Sequence, residues 1–331
     1  MIAKTFEKIS YTSVGISTIL LLGVSYYYTT LEINWSFVES KTLNGILIFG
    51  SLLLSSYAID TVTRQLTIER SNRNAYHLLL YPLVIMSYPI ESVDMRFILS
   101  SAAIWAAWRN VRIFFEINNN SKKSKRLFDA CLLLSFSALM ILDNLIVFIY
   151  PLLALITTNS KRDLKHFIIL LMTPLIILPT AYVLLSFLSL DSYLFSSYFF
   201  ADQPLVIDEY NAIPNSSRFF LMLLFEYNFN LTYSYVPILI VFVLFVISVI
   251  IKFLRTHSLR RRILDGVGIL FFILTCLYFS TDWLSGSEFH YLSLPFVYMV
   301  SQIFVKKLKS SYVNFIFMSL IASIIIFKFL T

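Results

Sequence analysis

Residues 161–188 read KRDLKHFIILLMTPLIILPTAYVLLSFL: a basic cluster at Lys161, Arg162 and Lys165, then no charged side chain from Phe167 to Leu188. An α-helix rises about 1.5 Å per residue, so this uncharged run matches a hydrocarbon layer of about 30 Å. Pro174 and Pro179 leave room for a kink. The run therefore reads as a membrane-spanning helix with a positive foot.

The pattern recurs along the whole chain. Of the 331 residues, 58% are hydrophobic and 14% charged, and the mean hydropathy is +0.77. A water-soluble domain of this size could not cover such a surface. Further spans are expected over Tyr11 to Thr30, Leu43 to Val62, Tyr76 to Ile90, Phe97 to Ile117, Leu127 to Leu142, Asn144 to Thr158, Tyr235 to Leu254, Ile263 to Ser280, Tyr291 to Val305 and Tyr312 to Leu330. The expected fold is all-α, a polytopic transmembrane bundle of about eleven spans forming one integral membrane domain over residues 1–331. The first apolar segment follows Lys4 and Lys8 and closes on Tyr26, Tyr27 and Tyr28, where a cleaved signal would carry small residues. It is expected to be a retained helix, with those tyrosines as an interfacial anchor.

Every second connection is basic: Lys4 and Lys8; Arg64, Arg70 and Arg73; Lys122, Lys123, Lys125 and Arg126; Lys161, Arg162 and Lys165; Lys252 with Arg255 and Arg260 to Arg262; Lys306, Lys307 and Lys309. The alternate connections collect Glu32, Glu39, Glu91, Asp94, Asp143, Asp191, Asp202, Asp208, Glu209, Glu226, Asp282 and Glu288. Positive charge stays on the cytoplasmic side, so the N-terminus is expected inside and the C-terminus outside a cytoplasmic (inner) membrane. The pI near 9.2 then describes a basic inner face and not a nucleic-acid-binding surface. Keeping both flanking basic clusters inside requires residues 127–158 to form a hairpin turning at Leu142-Asp143-Asn144, with arms short for a full crossing. The longest outside segment, 189–234, is rich in aromatic and acidic residues and is expected to lie on the membrane or cap a cavity.

Motifs for soluble-enzyme chemistry are missing: no GxxxxGK[ST], no Gly-rich dinucleotide turn, no HExxH, no GxSxG and no paired CxxC. With 4 His and 2 Cys in the chain, no metal and no cofactor are expected. Cys131 and Cys276 lie in apolar segments and read as small core residues. His77, His166 and His257 read as polar caps at cytoplasmic helix ends. Asp60 with Arg64, and Arg112 with Glu116, stand four residues apart and read as ion pairs near that face.

The outer helix ends hold the more informative set, Glu32-Ile33-Asn34-Trp35, Asp143-Asn144 and the run from Thr281 to Pro295. In that last run a carboxylate, Glu288, an imidazole, His290, and a phenol, Tyr291, stand within four residues at the mouth of a helix. A carboxylate there could take a proton from a sugar hydroxyl, and an imidazole could contact a phosphate or carry a proton. The alternative is an aromatic interface belt with a Gly-Ser turn.

Glu288, His290, Tyr291, Leu292 and Leu294-Pro295-Phe296 resemble the pattern that opens a late span in C-type glycosyltransferases, which use polyprenyl-phosphate-linked sugars. Here Phe289-His290 replaces the usual acidic-Arg order, and the first outer loop is short. The resemblance implies a catalytic base in that loop, Glu32 or Glu39, with Glu288 and His290 facing it. A lipid phosphate needs a cation at the boundary, and Arg218, Arg96 and Lys41 are the outer candidates, with Trp35, Trp283 and Tyr291 completing the substrate-binding set. The stretch from Lys125 to Ala130 and the Ser-rich helices after it also resemble a polytopic inner-membrane family of flavobacteria and their relatives that has no settled activity. The expected partners are membrane lipids, a polyprenyl-phosphate-linked glycan and other envelope proteins. Three classes follow: an enzyme acting on a lipid-linked sugar, a non-catalytic subunit of an envelope assembly, and, less favoured for want of Gly and midplane charge, a transporter.

Overall fold

The computed structural model describes residues 2–36, 40–66, 75–90, 92–117, 119–157, 164–187, 236–255, 286–304 and 310–329. Outside them lie Glu39, Trp283, Arg218 with the rest of segment 189–234, and the expected span from Ile263 to Ser280. The side chains of Trp35, Arg64, Glu116, Asp143 and Glu288 are likewise outside the description.

The described chain is mostly helical: α1 (Ile2–Thr5), α2 (Tyr11–Thr30), α3 (Lys41–Leu66), α4 (Tyr76–Met86), α5 (Met95–Glu116), α6 (Asn120–Met140), α7 (Ile149–Thr157), α8 (Leu164–Phe187), α9 (Val236–Arg255), α10 (His290–Ile303) and α11 (Ser310–Phe329). Local sequence sets several boundaries. Ser10 caps α2 through its hydroxyl, accepting from Ser13 N at 3.2 Å, while Ser10 N donates back to Ser13 Oγ at 2.9 Å. Asn119 caps α6, its Oδ1 accepting from Ser121 N at 3.0 Å.

Helix α4 is only 11 residues long and is buried from Tyr76 to Ile85. It stops at Met86 instead of continuing to Ile90, so it is shorter than the span expected there. Pro82 cannot donate to Leu78 O four residues earlier. The hydroxyl of Ser17 on α2 donates to that carbonyl instead, at 2.8 Å. Helices α4 and α10 pack on each other at the centre, and α2, α3, α5, α9 and α11 pack against this pair.

Two short strands interrupt the helical chain. β1 (Glu32–Trp35) runs parallel to β2 (Ser92–Asp94), pairing Glu32 with Ser92 and Ile33 with Val93. Parallel strands need a long crossover, and α3 with α4 supplies it. The C-terminal ends of α2 and α4 and the N-terminal ends of α5 and α10 therefore share one end of the bundle with these strands.

The chain turns after α6. Ile141 is extended, a 3-10 helix spans Leu142–Phe148, and α7 follows. Leu155 near the end of α7 joins Leu127 and Cys131 at the start of α6, with Phe114 and Leu170, in one buried cluster. A straight helix would hold Leu127 and Leu155 about 40 Å apart, so residues 127–157 fold back on themselves as the charge pattern requires.

Two described helices are long and apolar enough to cross a membrane, over Lys41–Thr63 in α3 and Leu164–Leu184 in α8. In α8 only 11% of the apolar window is buried against the protein. Ile168, Leu171, Leu175, Ile176 and Leu184 face outward along it.

Candidate functional site at the strand end

Asp94 closes β2 and caps α5, its Oδ1 accepting from Arg96 N at 2.9 Å. The same carboxylate holds the Arg96 guanidinium, with Nη2 to Oδ2 at 2.7 Å and Nε to both oxygens at 3.2 Å. Both side chains are buried. Arg96, expected to meet a lipid phosphate, is thus committed to an internal carboxylate.

A tight loop brings the late segment to this place. Gly286 has φ +77, and a Cβ there would stand 2.3 Å from Pro89 O. Only glycine accepts both that backbone and that approach. Next to it, Ser287 Oγ accepts from Asp94 N at 3.0 Å and donates to Ser92 O at 3.1 Å. Because Glu32 pairs in register with Ser92, the segments carrying Glu32, Asp94 and Ser287 meet at one point. A short 3-10 helix, Ser287–Phe289, leads directly into α10.

His290 begins α10 and is buried. Its Nε2 is 3.1 Å from the Tyr28 hydroxyl, and the rings of Tyr28 and Tyr88 stand edge-on to the imidazole. Its carbonyl accepts from Ser293 Oγ at 2.6 Å. Tyr291 turns the other way, with its hydroxyl 2.5 Å from Ser100 Oγ and accepting from Asn144 Nδ2 at 2.9 Å. Asn144 Nδ2 also donates to Ser137 Oγ at 2.9 Å. Asn144, expected at an outer helix end, is therefore an internal clamp between α6 and α10.

Glu32 and Lys41 are exposed at this end. The arrangement is a solvent-facing carboxylate and ammonium above a buried layer of paired groups. It can accept a proton at Glu32 and attract an anion at Lys41, with the strand pair and the Ser287 bridge fixing their platform.

Several participants escaped the sequence reading. Tyr28 belongs to the expected anchor of Tyr26, Tyr27 and Tyr28, but only Tyr28 is fully buried, while Tyr26 is exposed. The spacing of Ser17, Leu21, Val24, Ser25 and Tyr28 along one face of α2 carries that signal. At the opposite end of the bundle, His77 Nε2 lies 3.0 Å from Asp60 Oδ1. Asp60 therefore has a partner 17 residues away, while the side chain of Arg64, expected beside it, lies outside the description. Arg109 lies over the ring of Tyr57 at 4.8 Å, and Arg112 lies near Trp108 and Tyr298. His166 stands edge-on to Phe114.

Comparison with protein-family models, with curated proteins and with solved structures gave no match.

Proposed function

We propose that this chain is a multi-pass protein of the cytoplasmic membrane, with about eleven spans, an inside N-terminus and an outside C-terminus. The outward apolar face of α8 supports this reading, as do the 20-residue lengths of α2, α9 and α11, each about 30 Å. The alternation of basic and acidic connections supplies the orientation. Cysteine labels at Asn120 and Ser258 should report cytoplasm, and labels at Asp208 and Ser285 the outside. A cytoplasmic result at Asp208 would overturn the orientation.

At its strand end the protein acts as a glycosyltransferase-like enzyme on a polyprenyl-phosphate-linked sugar. The observation that carries this is the meeting of Glu32 with the segment from Gly286 to His290 across the Ser92–Ser287 contact. Glu32, exposed, takes the acceptor hydroxyl proton as the phosphate departs. Lys41, exposed at the start of α3, holds the phosphate among the described residues, because Arg96 is occupied by Asp94. His290 and Tyr291 support the platform from beneath. Glu32→Gln should abolish transfer from a polyprenyl-phosphate sugar while leaving membrane insertion intact, with Glu39→Gln as the comparison.

A non-catalytic envelope subunit is the second reading, favoured by the internal pairing of Arg96 and His290. Full complementation of a deletion strain by Glu32→Gln, Glu39→Gln, Glu288→Gln and His290→Ala would put that reading first.

A further inference from the structure

We propose that Arg109 on α5 and Tyr57 on α3 form a site for the phosphate of an anionic phospholipid near the inner membrane boundary. The proposal rests on the membrane-spanning part of the reading above and is independent of glycosyl transfer.

From Ser100 to Phe114, α5 is buried at every position except Arg109. Arg109 Nη2 donates to the Tyr57 hydroxyl at 3.3 Å, and the guanidinium carbon lies 4.8 Å from the centre of the Tyr57 ring. The Nε of the same group is buried and has no hydrogen-bond partner. Among the described residues no carboxylate forms an ion pair with Arg109, whereas Arg96 has Asp94 and Arg126 approaches Asp129 at 4.0 Å. A guanidinium is not deprotonated in proteins. Its positive charge therefore meets only a neutral phenol among the described residues.

The surroundings of the pair are those of a lipid. Tyr57 is 56% exposed and continues an outward stripe of α3 made by Leu43, Leu47 and Leu54, spaced at helical turns. The stripe belongs to the apolar window Lys41–Thr63, and Tyr57 stands about 9 Å along the axis from the Thr63 end. A cation at that depth is costly in hydrocarbon unless an anion meets it, and the long arginine side chain reaches toward the boundary where headgroup phosphates lie. The planar fork suits two phosphate oxygens, and stacking on the Tyr57 ring holds it in place. Because the phenol accepts from Arg109, it keeps its own hydrogen for a further phosphate oxygen. The acyl chains then follow Leu54 and Leu47, a surface that a free phosphate cannot use. Phosphatidylcholine brings an ammonium of its own to the phosphate, so a net-negative headgroup such as phosphatidylglycerol is the better counter-ion.

An arginine that merely reaches for water has no preference among lipids, so selectivity separates the two accounts. Flotation of the parent with vesicles and resistance to alkaline extraction establish embedding first. The full chain in a mild non-ionic detergent is then titrated with phosphatidylglycerol, with phosphatidylcholine of the same acyl chains, or with soluble glycerophosphate, and bound molecules are counted by native mass spectrometry. The expected result is phosphatidylglycerol held at least about tenfold more tightly than phosphatidylcholine, with no retention of glycerophosphate. Arg109→Gln should weaken that binding about tenfold or more, and Tyr57→Phe, which keeps the ring, about two- to tenfold. Arg109→Lys, which keeps the charge and loses the fork, should fall between the parent and Arg109→Gln. Lys122→Gln, exposed on α6, should bind as the parent does. Circular dichroism and gel filtration matching the parent exclude misfolding. Equal retention of the two lipids by the embedded parent, binding unchanged in both Arg109→Gln and Tyr57→Phe, or glycerophosphate held as tightly as the lipid overturns the site alone. Failure to embed overturns the membrane reading and the site with it.

Discussion

Asp94→Asn tests whether the Asp94–Arg96 pair holds the strand end together. Asparagine caps a helix about as well as aspartate, so the contact to Arg96 N survives and only the charge is removed. The guanidinium now faces a neutral amide from a site where the two side chains are 7% and 3% exposed, arginine first. Breaking a buried pair from one side costs about 3–5 kcal/mol, because the guanidinium loses the charge that Asp94 supplies. Adding Arg96→Met removes that charge and keeps an unbranched side chain. The double variant should return to within about 1 kcal/mol of the parent, since replacing a buried pair outright is often nearly neutral. Equilibrium unfolding of the detergent-solubilised chain, followed by tryptophan fluorescence, reads all three proteins. A single variant within about 1 kcal/mol of the parent, the ordinary value of a surface pair, would refute the reasoning.

Gly286→Ala should destabilise by at least about 1–3 kcal/mol for its positive φ alone, with more from the 2.3 Å approach to Pro89 O. Gly23→Ala is the comparison, since nothing lies within 4 Å of its would-be Cβ; a gain of up to about 1 kcal/mol is expected from its place inside α2. Tyr291→Phe removes one partner each from Asn144 Nδ2, which still donates to Ser137, and from Ser100 Oγ, which still donates to Phe97 O, and should cost about 0.5–1.5 kcal/mol, whereas Tyr26→Phe, exposed, should stay within about 0.5 kcal/mol. In a Cys276→Ser background, maleimide should reach the fully buried Cys131 only after denaturation; rapid labelling of the folded chain would contradict the packing of α6.

Helix positions were legible because apolar blocks and polar punctuation are local signals. Tyr11–Thr30 was expected at the bounds α2 occupies, and the turn near Leu142 followed from keeping Lys161, Arg162 and Lys165 on the side of Lys122 to Arg126. The end of α4 was not legible. The apolar run to Ile90 looks like continuous helix, but Ser87 to Ile90 leave it to meet Gly286. That meeting joins residues almost two hundred positions apart.

By itself the sequence determined a mostly helical chain, too apolar for a water-soluble domain of its size, with carboxylates and cations on alternate connections. Hydropathy and charge depend on residue type, so a one-dimensional reading recovers them. Which of those polar groups are paired was decided only by the tertiary structure. Asp94 takes Arg96, Tyr28 takes His290, Asp60 takes His77 and Asn144 takes Tyr291. The physical reason is that a buried polar group must find a partner within about 3 Å. Helix packing sets that distance, and three of these four partners lie far away along the chain.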